Sequence, residues 1–222
     1  MLHVRNPSYK PHNMHYATEQ TQNIDAVFTD VDDILLDWCG AFMKWYSRAA
    51  PDIKTLADLF KEFPKGKISR TLVYEYQDTP DYRYLPLLPY SQQVMANFAQ
   101  AGKPVIAITS CGKHYVETRS KQLFDIRNFN TNISGVYMLD HGETKATAFE
   151  AAFEDYNLDP KRVAFIDDMH GNCVSAVDTG IGCVAWQPME HRDDVEDLPA
   201  GYRQNIHIVR DLNEFEGLVH GV

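Results

Sequence analysis

Short apolar runs that stop abruptly in acid or hydroxyl residues recur along this chain. Each reads as a strand buried on both faces, which needs no polar alternation. Residues 24–29 form the first, 104–109 the second and 162–166 another, with a weaker run at 133–139, one at 181–186 and a short one at 206–209. Helical windows lie between them. In residues 36–50, Trp38, Ala41, Phe42, Trp45 and Tyr46 recur at helical spacing; Ser91 is placed to cap 91–100 and Gly102 to stop it. Further helices are expected over 114–127, over 144–156 behind Thr144, over 172–179 before Gly180, and over 212–219. Strands alternating with helices predict an α/β chain, a Rossmann-like parallel sheet with right-handed crossovers and helices on both faces. No Gly-x-Gly-x-x-Gly turn follows the first strand, which argues against a dinucleotide dehydrogenase.

Three stretches break the rhythm. Residues 1–24 are polar and read as an arm; their His3, His12 and His15 have no one-faced ligand spacing and read as surface residues. Residues 37–90 hold helices near 56–63 and 68–76, a turn at 64–67 and no buried strand. They predict a small helical cap inserted after the first strand, leaving 25–36 and 91–222 as the core domain. Residues 187–204, with Asp193, Asp194, Glu196 and Asp197, read as a solvated loop.

Composition narrows the function. A net charge of −10 over 222 residues disfavours a nucleic-acid-coating protein, though local cations can still reverse the field in one pocket. Cys39, Cys111, Cys173 and Cys183 form no Cys-x-x-Cys pair and read as reduced thiols, so a cytoplasmic protein is expected. No run approaches the ~18 apolar residues of a membrane span, and no signal-peptide core is present.

The chemistry gathers at the strand ends. Asp30-Val31-Asp32-Asp33 places three carboxylates in four positions directly after the first strand. Packed there they repel, so they call for a cation or a reaction; a solvated acidic turn capping the next helix is the plain alternative. Thr109 and Ser110 close the second strand, Lys145 opens a helix, and Asp167-Asp168 ends a later strand with Asn172 beyond. These four signatures, in this order from residue 26 to about 186, resemble the haloacid-dehalogenase-like (HAD) phosphatase superfamily.

The resemblance implies a magnesium-dependent phosphomonoesterase. Asp30 would be the nucleophile that forms an aspartyl-phosphate, and Asp32 the acid and base. Thr109 would bind phosphoryl oxygens and Lys145 would offset their charge. Magnesium would sit on Asp30, Asp168 and the main-chain carbonyl of Asp32, with Asp167 and Asn172 nearby. Lys161 and Arg162 compete for the lysine role, but Lys145 alone opens a helix. Ile34 and Asn172 depart from the family pattern without removing a catalytic group, and an acid at Asp32 argues against a dehalogenase.

The cap also resembles, more loosely, that of the 5'(3')-deoxyribonucleotidases, through Leu36-Asp37-Trp38, Phe60, Phe63, Tyr74, Tyr76 and Leu87-Leu88-Pro89-Tyr90. It implies a nucleoside monophosphate substrate, with Ser110, Phe42, Trp45, Tyr46 and Arg70 as candidate contacts. Each aromatic serves equally well as glue between cap and core, and Arg70 and Arg83 serve as ordinary surface residues. A sugar-phosphate phosphatase, a phosphatase of nucleic-acid 3' ends and a catalytically silent binding module stay open as alternatives. So does a homodimer. The expected partner is a small phosphorylated metabolite and no membrane, while the acidic charge weighs against nucleic acid.

Overall fold

The computed structural model describes residues 1–5 and 24–221. The apolar runs form the expected strands: β2 (Ala26–Thr29), β3 (Val105–Ser110), β4 (Gly135–Leu139), β5 (Val163–Asp167), β6 (Cys183–Trp186) and β7 (Ile206–Ile208). With a first strand β1 (Leu2–Arg5), the sheet order is β1-β4-β3-β2-β5-β6-β7, with β2 to β7 all parallel. Alternate side chains feed two cores. Val27, Val105 and Ala107 enter one cluster, while Phe28, Ile106 and Ile108 enter the other. Helices α5 (Ser91–Gln100) and α9 (Leu212–His220) cover the first face; α7 (Lys145–Tyr156) and α8 (His170–Asp178) cover the second. The chain fills one side of β2 with β3 and β4, then crosses to place β5 on the other. The carboxyl ends of β2 and β5 therefore flank the switch point, where open α/β sheets bind ligands.

The structure departs from the sequence reading at the amino terminus. Residues 2–5 are not an arm but an edge strand, β1 (Leu2–Arg5), paired antiparallel to β4. The run is too short and too polar to show as a strand, and its partner supplies the apolar side. His3 stacks on Tyr137 at 4.2 Å and meets Asp155 at 3.1 Å, so it is anchored to the sheet; His12 and His15 lie outside the described residues.

Between β2 and α5 the chain is helical: α1 (Trp38–Tyr46), α2 (Leu56–Glu62), α3 (Arg70–Gln77) and α4 (Pro80–Arg83). Thr55 opens α2 with a reciprocal capping box to Asp58. Leu59, Phe60 and Tyr76 join the same apolar cluster as Val27 and Val105, so these helices and the sheet share one core. Two expected caps differ. Tyr90, in the left-handed region at φ 67°, precedes α5, and the Ser91 hydroxyl instead donates to the Leu35 and Leu88 carbonyls. Thr144 precedes α7 without a side-chain cap. The window 114–127 begins as a 3-10 turn, becomes α6 (Val116–Ser120) and widens into a π-type turn over Lys121–Ile126.

Candidate active site

Asp30 leaves β2 with its amide donating to the Ile166 carbonyl of β5, which ties the two strand ends together. Beyond it the acidic turn folds back tightly. Leu35 and Leu36 amides reach the Val31 carbonyl, and Asp33 takes a left-handed conformation at φ 58°. An aspartate tolerates that region better than most residues. Asp37 caps α1 through the Gly40 amide, and Asp33 accepts the Cys39 amide. The turn thus caps a helix, as its plainer reading held, and still buries acid: Asp30 and Asp33 are both buried.

Lys145, first residue of α7, points across the sheet end and bridges Asp30 Oδ1 at 2.7 Å and Asp167 Oδ2 at 2.6 Å. Burial alone would lower the lysine, but the two carboxylates outweigh it and hold the ammonium above its ordinary value. Asp167 is pushed up to about 6, chiefly by burial, against the pull of Lys145. Its other oxygen accepts the Met169 amide and the Asn172 side chain, so Asn172 orients this carboxylate. Asp168 is raised well above its usual value by burial, against the Arg192 guanidinium 2.6 Å away. Asp33 is pushed up to about 7 by burial. Lys161 and Arg162 lie at the opposite end of β5, where Arg162 pairs with Asp25.

Asp30, Asp167 and Asp168 each offer an oxygen, and these lie within 4.8 Å of one another. Three buried hard donors fit a small divalent cation such as magnesium, since two cationic side chains leave their charge only partly balanced. Thr109, fully buried at the end of β3, has a hydroxyl with no hydrogen-bond partner among the described residues. An orphaned buried donor in the cavity that Asp30 also lines suits an oxyanion that arrives with substrate.

A cavity of about 260 Å³ opens over this cluster. Asp30, Asp32, Thr109, Ser110, Lys145, Asp168 and Asn172 line it, as the sequence led one to expect. Phe42, Trp45, Tyr46 and Arg70 do not. Phe42 is fully buried and packs against Trp38, Trp45, Tyr46, Phe63 and Tyr76, while Arg70 is exposed. The apolar wall is built instead from Trp38, Phe60, Ile68 and Val73. Helical period located the aromatic stripe, but Trp38 lies one turn before Phe42, closer to the acidic turn, and it alone of the stripe reaches the opening.

Two arginines were not foreseen. Arg119, on α6, is completely buried and donates to both oxygens of Asp32 at 2.6 Å and to the Tyr82 hydroxyl at 3.2 Å. Its signal was a lone cation on an apolar helix face beside Val116 and Leu123. Arg192 corrects the reading of 187–204 as solvated. Its side chain is only 5% exposed and inserts beneath the site. The polar sequence around it carries no periodicity that would betray this.

Carboxylates from the ends of β2 and β5 and a lysine from the head of α7 thus meet at the switch point of an α/β sheet. Residues 8–172 match the haloacid dehalogenase-like hydrolases, and the chain belongs to that family. Similar solved structures include a HAD family hydrolase from Deinococcus radiodurans with bound phosphate and sodium (14% identity, 90% of this chain and 97% of that one, TM-score 0.67). A dehalogenase with an intermediate complex is similar at 14% identity, over 90% and 99% of the two chains, with a TM-score of 0.64. The putative HAD-hydrolase YfnB from Bacillus subtilis, bound to magnesium, is similar at 16% identity over 89% and 99%, with a TM-score of 0.57. At such identities the likeness is one of fold. No curated relative matches the chain significantly. Among the described residues no helix is long and apolar enough to cross a membrane.

Proposed function

We propose that this hydrolase is a magnesium-dependent phosphomonoesterase that works through an aspartyl-phosphate on Asp30, with a nucleoside monophosphate as substrate. The observation that carries the reading is the convergence at one cavity of a lysine-held carboxylate, Asp30, and an orphaned buried hydroxyl, Thr109. Asp30 attacks phosphorus; its oxygen–phosphorus bond forms as the ester bond breaks. Asp32, which Arg119 holds by both oxygens in the substrate-free site, must leave that pair and take up a proton before it gives one to the leaving alcohol oxygen. It then takes one from the water that attacks the phosphorylated Asp30, releasing the carboxylate and inorganic phosphate. Lys145 keeps Asp30 in place and shares the charge of the transferring group, while Thr109 donates to its oxygens. Magnesium held by Asp30 and Asp168, with the Asp32 carbonyl, would supply the positive charge that lets two anions meet. Trp38 and Phe60 line the apolar side of the cavity, which supports the nucleotide reading because a base is the apolar part of such a substrate.

The small cavity also suits a sugar phosphate, which is the second reading. Phosphate release from a panel of nucleoside and sugar monophosphates, with magnesium or EDTA, separates the two. Asp30→Asn is expected to lose at least about a thousandfold in turnover on any substrate. Release from sugar phosphates alone would keep the chemistry and discard the nucleotide; turnover retained by Asp30→Asn would discard the covalent route.

A further inference from the structure

We infer that Arg192 is a positioning residue for the metal centre, fixing Asp168 from a loop that lies outside the four strand-end signatures. The inference rests on the metal reading above.

Asp168 sits among Asp30, Asp33 and Asp167, and like charges in a buried space push a carboxylate away from its neighbours. One group opposes this directly. The Arg192 guanidinium donates to Asp168 Oδ2 at 2.6 Å and to the Asp168 main-chain carbonyl at 2.5 Å. Both the side chain and the backbone of this acid are thereby fixed. Arg192 engages only one of the two carboxylate oxygens, and Asp168 is one of three acids whose oxygens lie close enough to hold an ion. Arg192 is itself clamped: Asp193 accepts from its Nε at 3.0 Å and from a terminal nitrogen at 2.7 Å, and also holds the Met189 amide. A planar fork that binds two carboxylates and a carbonyl at once is something an ammonium cannot reproduce.

The same residue meets the helical insertion. Gly66 stands at φ +66°, and a Cβ there would lie 3.2 Å from Arg192 Cδ. Its neighbour Lys65 pairs with Asp197, farther along the Arg192 loop. The turn over the cavity therefore lies close against the side chain that holds Asp168, and a second ion pair ties it to the same loop.

Manganese binding to the substrate-free protein, read by electron paramagnetic resonance of the free ion, tests this without reference to turnover. Arg192→Gln is expected to weaken binding by roughly ten- to a hundredfold. Arg192→Lys should recover part of that loss, and Asp193→Asn, which keeps the guanidinium but loosens it, should cost a few-fold. Circular dichroism and melting identify which variants are folded; should both Arg192 variants unfold, Asp193→Asn decides. Unchanged affinity in the folded variants overturns the inference. Tighter binding also overturns it, by showing the guanidinium to be a competitor for Asp168. A wild-type protein that binds no manganese overturns the metal reading itself, and this inference with it.

Discussion

The strand-end cluster and the aromatic cluster beside it are built by opposite means. Around Asp30 the side chains are held by charge: Lys145, Arg119 and Arg192 each lock carboxylates at 2.6–2.7 Å. Around Phe42 they are held by contact, through rings stacked on Trp38 and Tyr46 and edge-on to Phe63 and Tyr76. Charge fixes direction but leaves each partner dependent on the other. Ring packing tolerates exchange, provided volume is kept. The first suits atoms that must meet a reacting group; the second suits a wall.

The comparison breaks most directly at Lys145. Lys145→Met should abolish turnover and destabilise the fold by about 3–5 kcal/mol, because Asp30 and Asp167 lose their shared buried partner. Near-normal turnover in that variant would mean that the charge lattice is decoration. Phe42→Ala should cost a similar ~3–5 kcal/mol in denaturant unfolding, yet Phe42→Leu should stay folded and active, which sharpens the contrast.

A smaller effect concerns pH. Asp33, pushed from 3.8 to about 7, keeps its proton longer folded than unfolded. Its contribution is full below about pH 4 and is lost as pH rises through about 7. Asp167, raised to about 6, acts with the same sign. Melting of the metal-free protein should therefore fall across that window, and Asp33→Asn should flatten the fall; an unaltered slope in the variant would place its origin elsewhere. Smallest of all is the exposed Arg48–Asp81 pair, where Arg48→Ala should leave the melting temperature unmoved.

Much of this was legible in the sequence. The doubly buried strands announce themselves because both faces demand apolar residues; Asp30, Thr109 and Asp168 stand where those strands end, and Lys145 heads a helix. What could not be read is whatever depends on a distant partner. β1 has too few residues to show a period. Arg119 and Arg192 are ordinary cations until the fold brings Asp32 and Asp168 to them. The aromatic stripe on α1 was visible, but which of its rings meets the cavity depends on how α2 and α3 lie across it.

The helical excursion between β2 and α5 leaves and returns through one doorway. Leu36 pairs with Leu87, the Asp37 amide reaches the Pro86 carbonyl, and the Leu88 amide and Ser91 hydroxyl both reach Leu35. Because its two feet are stitched together, the span above them can be lengthened or exchanged at an entropic cost that grows only slowly with length. What covers the cavity can thus be exchanged, as a tenant is changed without rebuilding the house, while the strand ends beneath keep their register.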